Sequence, residues 1–174
     1  MGKTLIRGSS VKERLGRMDV DFIDVTLTTD IETHANGDVI TLPIEIENAV
    51  SVKGGRGIIQ SLILTNGDNS LESPTIELMF ASETMDVSTT PDEGEAVGIE
   101  DADLTKLCGS TTVSNWSLVN TSKAEVATKS NIGLVVKAAS TSTSIFVIAI
   151  CRDAGGFSAS ATTDLKLRLG IIKD

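Results

Sequence analysis

The chain is poor in the side chains on which many enzymes and sugar-binding proteins depend. Its 174 residues include one histidine, His34, one tryptophan, Trp116, and no tyrosine. Acid–base chemistry near neutral pH usually recruits histidine, and a sugar-binding platform uses several aromatic rings. We therefore expect no enzyme activity. His34 is predicted to be a solvated residue beside a turn, and Trp116 is predicted to pack in the core.

Cysteines and long apolar segments are also scarce. Cys108 and Cys151 are the only cysteines and form no CxxC pair, so we expect two reduced thiols and no disulfide framework. No run approaches the roughly 20 apolar residues that cross a bilayer, and the N-terminus lacks the apolar run of a secretory signal. These absences predict a protein that is made and kept in a cytoplasm and has no membrane partner.

Basic residues are few outside the N-terminus. The first seventeen residues have a net charge of +4 within a chain of net charge −9, which leaves −13 for the remainder. The basic residues of this segment are Lys3, Arg7, Lys12, Arg14 and Arg17. Because charge patterns inform on partners, we predict that residues 1–17 form a basic arm that binds another subunit and that residues 18–174 form one domain. The acidic domain and an arm without aromatic residues argue against a nucleic-acid partner.

Apolar residues alternate with polar ones, and Ser and Thr are abundant. This period of two predicts eight strands, at residues 18–29, 40–47, 58–65, 75–80, 111–119, 132–138, 144–151 and 164–172. In the first strand the alternation slips at Phe22 and Ile23, which predicts a bulge. Pro43 predicts an edge position for the second strand.

Only residues 100–107 have a helical pattern, with acids at the start, Lys106 near the end and Gly109 just beyond. Many short strands with almost no helix are typical of a sandwich or barrel. The predicted fold is all-β: a jelly-roll or Greek-key β-sandwich of about eight strands, with one short helix and an extended N-terminal arm.

Acidic residues gather in and after a long segment of low apolar content. They are Asp92, Glu93, Glu95, Glu100, Asp101 and Asp103. A solvated acidic loop is the first interpretation, and a docking surface for the basic arm of a neighbouring copy is the second. Calcium binding is a third, because Ca²⁺ takes six to eight oxygen ligands, but the spacing does not match an EF-hand loop. We expect no metal and no cofactor.

Several segments resemble a known family when taken together in order and spacing. They are residues 35–40, 54–62, 76–80, 99–109 and 160–174. This pattern is similar to that of bacteriophage capsid decoration (cement) proteins, which are small β-sandwich virion proteins. The resemblance implies that the protein binds the outside of the major capsid protein lattice and bridges neighbouring capsomers. It also implies a location on the capsid exterior after assembly in the host cytoplasm, with copies of itself (dimer or trimer) as further partners.

Other functions remain open on the residues alone. A tail, baseplate or fibre module of a virion would have the same kind of sandwich. A carbohydrate-binding β-sandwich module would use Trp116, and a β-sandwich hydrolase would depend on His34.

Overall fold

The computed structural model describes residues 19–68, 72–86, 96–120 and 124–174. The basic arm predicted for residues 1–17 therefore lies outside the described residues. Eleven strands are found in these ranges, and they are β1 (Asp19–Leu27), β2 (Thr33–His34), β3 (Val39–Ile46), β4 (Arg56–Asn66), β5 (Ile76–Ala81), β6 (Leu107–Val113), β7 (Trp116–Asn120), β8 (Ala124–Lys137), β9 (Ile145–Cys151), β10 (Phe157–Ser158) and β11 (Leu165–Lys173).

The strands form two antiparallel sheets and a small two-stranded ladder. Sheet 1 has the order β1-β11-β4-β8-β7, and sheet 2 has the order β3-β9-β5-β6, while β10 pairs with β2. When β7 and the ladder are set aside, the remaining eight strands stand in the order 1-8-3-6 in one sheet and 2-7-4-5 in the other. This is the double Greek key of a jelly roll. The predicted all-β sandwich is confirmed.

The two sheets enclose a core made of aliphatic side chains with few aromatic rings. Alternation sends every second residue of most strands inward, as at Leu62 and Leu64 of β4. An irregularity between Ile59 and Ser61 shifts the phase of this strand, so that Ile59 is buried as well. All three side chains are at most 1% exposed. Phe80 of β5 is fully buried in the same cluster. Because β-branched and leucine side chains pack well on a pleated surface, a chain with few aromatics still fills the interior.

The edge position predicted from Pro43 is also confirmed, because β3 forms one edge of sheet 2. The bulge predicted at Phe22 and Ile23 is wrong. The register of β1 against β11 runs without interruption from Asp19 opposite Lys173 to Leu27 opposite Leu165. Instead of a bulge, both faces of the first half of β1 carry apolar side chains.

The helix predicted over residues 100–107 is wrong as well. The structure has a single 3₁₀ turn at Leu104–Lys106, and the backbone is already extended at Leu107. Two helical turns are marginal without tertiary packing. Here Leu107 pairs with Ala81 and Gly109 pairs with Phe80 in the β5–β6 ladder, so strand pairing overrides the local helix signals.

The strand predicted over residues 111–119 is two strands in different sheets. β6 ends at Val113 in sheet 2, and β7 begins at Trp116 in sheet 1. Ser114 and Asn115 make the crossing between the sheets. An alternating pattern records which side chains are buried, but it does not record a change of sheet partner.

Candidate protein-binding surfaces

The outer face of sheet 1 carries a continuous row of apolar side chains. Val20 lies opposite Ile172, Ile172 opposite Ile58, and Ile58 opposite Val135, so the row crosses β1, β11, β4 and β8. Val20 is 60% exposed and Val135 is 56% exposed, and the two isoleucines are half-buried. We call these four residues the outer row. The solvent face of a sheet is normally polar, so this row indicates a contact surface.

The next row towards the middle of the strands contains one large side chain and three small residues. Phe22 lies opposite Gly170, Gly170 opposite Ser61, and Ser61 opposite Ser130. The Phe22 ring leans over Gly170, with its Cε1 atom 3.4 Å from the position that a Cβ of Gly170 would occupy. It is nevertheless 64% exposed. This row therefore has one large exposed ring at β1 and small residues on the other three strands.

Charged side chains lie at both ends of this face. At one end, Arg168 of β11 forms a bidentate ion pair with Asp24 of β1, with N–O distances of 2.6 and 3.0 Å. This pair lowers the pKa of Asp24. At the other end, Arg56 and Lys137 lie directly opposite each other and both are exposed. An apolar centre with a charged rim is the usual arrangement of a protein interface.

The outer face of sheet 2 is covered, in contrast, by a segment of the same chain. A second apolar cluster joins Val39, Ile148 and Ile150 of this face to Val97 and Ile99 of the connection between β5 and β6. The segment is attached by the Asp38–Ala96 bridge. The chain thus covers one outer apolar face by itself, and no described residue covers the outer row of sheet 1.

The acidic loop is divided by the structure. Asp92, Glu93 and Glu95 lie outside the described residues, while Glu100 and Asp101 are exposed. Asp103 is only 8% exposed, and its carboxylate is engaged within the chain, so the part predicted for it in a docking surface stays a prediction. Its carboxylate lies 2.8 Å from Lys106 Nζ and accepts a hydrogen bond of 2.7 Å from the backbone N–H of Asp86.

These contacts of Asp103 make the connection between β5 and β6 sensitive to pH. The hydrogen bonds from Lys106 and from the Asp86 backbone lower the pKa of Asp103 below its ordinary value. A lowered pKa in the folded state contributes stability that is present above the unfolded pKa, about 4, and is lost as the pH falls through the folded value. Protonation should therefore weaken the contact that holds the two ends of this connection together at Asp86 and Asp103.

We predict that Asp103→Asn flattens the acid limb of the stability curve. The midpoint of urea unfolding should fall between about pH 5 and about pH 3 in the wild type, and the fall should be smaller in this variant. Asp101→Asn is the matched control, because Asp101 is exposed two residues away, and its curve should follow the wild type. Identical pH curves for Asp103→Asn and the wild type would contradict the role assigned to the carboxylate.

His34 is buried, so the prediction of a solvated turn residue is wrong. It lies in the β2–β10 ladder opposite Phe157, and both side chains are 0% exposed. The two rings stack with their centroids 6.4 Å apart, and His34 Nε2 lies 3.0 Å from a carboxylate oxygen of Asp30. The short strands β2 and β10, which the sequence pattern missed, hold this contact in place.

Trp116 packs against the core, as predicted. It is half-buried beside the main apolar cluster, and its Nε1 donates a hydrogen bond of 2.6 Å to the carbonyl oxygen of Pro74. This bond fixes the ring against the body. Both cysteines are free, and burial raises the pKa of Cys151.

The described residues offer neither a metal site nor a membrane-spanning helix. No group of three or more His, Cys, Asp or Glu side chains within these ranges could hold a metal ion. None of the helical segments described reaches the length and apolarity needed to span a membrane.

The fold and surface together define a jelly-roll β-sandwich with one exposed apolar sheet face. Neither a family model nor a curated protein matches the chain. A chain in the cryo-EM structure of Mud crab tombus-like virus is similar over 90% of this chain and 89% of that chain, with 12% sequence identity and a TM-score of 0.24. A similarity of this size carries no argument, so the fold assignment rests on the strand order.

Proposed function

We propose that this protein is a structural protein of a phage virion that binds the outer surface of the major capsid protein lattice and cements neighbouring capsomers. The strand order of the two sheets is the observation that carries the proposal. Jelly rolls of this kind occur in viral capsid proteins, lectins and cupins. The comparison is by fold, so the choice among these classes depends on the surface and the interior.

The interior and Trp116 favour a virion protein over a lectin or a cupin. Large buried side chains such as Phe80, Leu62 and Leu78 fill the described interior, whereas a small-molecule site in a barrel requires an open concave cavity. Trp116 is attached to Pro74, so its ring does not stand out as a platform for a sugar. The exposed apolar face of sheet 1 suits binding to another protein.

Such a protein works mechanically, without making or breaking bonds. The sandwich is a rigid block, and many moderate contacts repeated by the symmetry of a shell add up to strong cross-linking. The basic arm, residues 1–17, would reach a neighbouring subunit and could add a strand to a sheet edge there. Its arginines, Arg7, Arg14 and Arg17, would pair with exposed acids such as Glu100 and Asp101 of another copy.

The test compares virions produced with and without the gene for this protein. We expect heads that lack the protein to have a lower mass and to release DNA at a lower temperature or at an earlier time in chelator. Adding the purified protein back should restore both the mass and the resistance. Finding the protein in tails, baseplates or fibres, or finding unchanged head stability with no protein on the shell, would overturn the proposal.

A further inference from the structure

The outer face of sheet 1 has an arrangement that matches itself. Across β1, β11, β4 and β8 the outer row has the residue types Val, Ile, Ile and Val. This order is the same in both directions. A two-fold axis parallel to the strands would place β1 of one copy on β8 of the other, and β11 on β4. The outer rows of two copies then meet Val to Val and Ile to Ile.

The neighbouring row matches under the same rotation. Phe22 at β1 would face Ser130 at β8 of the second copy, and Gly170 would face Ser61. Each exposed ring therefore meets small side chains, and each copy provides one large and one small partner at this row. An interface that uses the same patch on both subunits requires this self-complementarity.

We propose that this face joins two copies of the chain about a two-fold axis parallel to its strands, with outer row against outer row. The four strands and five alternating rows of the face cover roughly 600 Å², from a strand spacing of about 4.8 Å and a rise of about 3.3 Å per residue. A standard interface buries about 800 Å² on each partner. Two such faces would bury about 1,200 Å² in total, the lower end of the range for specific interfaces, so we expect a dimer of moderate affinity.

Charge fits a second copy better than the basic arm. A second copy would bring carboxylates to this face as well as cations, because Asp174 lies beside Arg56 and Asp24 is paired with Arg168. The arm would bring a net charge of +4 to a face that already carries Arg56, Lys137, Lys166 and Arg168.

The first experiment measures self-association of the full chain by sedimentation equilibrium over a dilution series. We expect a monomer–dimer equilibrium. Val135→Asp should weaken it by about 100-fold or more, because each dimer would bury two unpaired carboxylates. Ile31→Asp is the matched control, because Ile31 is 64% exposed but lies outside the sheets, and it should leave association unchanged. Circular dichroism and thermal unfolding would verify that each variant is folded.

The second experiment tests the axis itself with two complementary variants. In a mixture of Val20→Lys and Val135→Asp chains, the heterodimer would place the new Lys against the new Asp at one contact and restore Val against Val at the other. Native mass spectrometry should show more heterodimer than either homodimer. Because Val20→Lys is an independent substitution on another strand, it keeps the test decisive if Val135→Asp fails to fold.

Three results would overturn the proposal. The first is a wild type that stays monomeric at every concentration. The second is a dimer that remains intact in both Val135→Asp and Val20→Lys. The third is loss of the dimer in a full chain carrying Leu5→Asp and Ile6→Asp, which would identify the arm as the occupant. The inference does not rest on the virion function: a monomeric cement protein would leave that proposal standing, and a dimer absent from virions would leave this one standing.

Discussion

Replacement of Phe80 by Ala is expected to lower the free energy of unfolding by about 3–5 kcal/mol. Phe80 is 0% exposed and lies in β5, between Val147 of β9 and Gly109 of β6. Removal of the ring takes a large apolar surface from the core and leaves a cavity between rigid sheets, which relax only partly. In a chain with so few aromatic residues, no neighbouring ring can fill the space.

The measurement is the thermal midpoint, which should fall by roughly 6–20 °C, from about 2–4 °C for each kcal/mol in a domain of this size. Leu118→Ala is the control, because Leu118 is 62% exposed on the edge strand β7, and surface changes of this kind usually cost within about 0.5 kcal/mol. Equal midpoints for the two variants would contradict the placement of Phe80 between the sheets.

The strands were predictable because each of them has one buried face. The alternation of Ile40, Ile44 and Ile46 and the compact apolar segment from Ile58 to Leu64 correspond to β3 and β4 in the structure. Burial against a single core imposes a period of two wherever a strand crosses it. Local pattern and tertiary structure therefore agree over most of the two sheets.

Features set by the pairing partner were not predictable from the local pattern. Leu104 and Leu107, three residues apart, resemble one face of a helix, yet Leu107 joins β6 because Ala81 is opposite it. His34 looks like a turn residue in sequence, but strand β10, more than a hundred residues later, brings Phe157 against it. Such long-range contacts override local preference, and a single sequence does not display them.

The outward-facing apolar residues of β1 are visible in the sequence as a break in the alternation of apolar and polar residues. In the sequence Val20 and Phe22 alternate with polar residues, and the adjacent Ile23 breaks this alternation. In the structure Ile23 and Val25 face the core, while Val20 and Phe22 face outward. An apparent slip of register can therefore indicate a strand with two apolar faces and a second contact surface.

The two outer faces of the sandwich differ in a way that links the proposals. Sheet 2 has its covering segment, attached by the Asp38–Ala96 bridge, whereas no described residue covers the outer row of sheet 1. If sheet 1 joins two copies, the surfaces left for a capsid lattice are the edges and the acidic side that carries Glu100 and Asp101. A dimer would present two such sides and two basic arms, which is suitable for bridging neighbouring capsomers.

Gly109 is the second position where a single substitution should have a large effect. Its φ is +147°, and a Cβ atom there would lie 2.7 Å from Cδ1 of Leu134, which projects from β8. We expect Gly109→Ala to destabilise the protein by about 1–3 kcal/mol of backbone strain, with a smaller addition because the half-buried Leu134 side chain must move aside. Urea unfolding at neutral pH measures the change.

Gly133→Ala separates these two contributions. Gly133 also has a positive φ, +66°, but nothing lies within 4 Å of its Cβ position, so this control should cost only about 1–2 kcal/mol of backbone strain. Leu134→Ala in the Gly109→Ala background should be less destabilising than in the wild type, because the shortened side chain removes the collision. Additive effects of these two substitutions on the free energy of unfolding would contradict the close approach of Gly109 in β6 to Leu134 in β8.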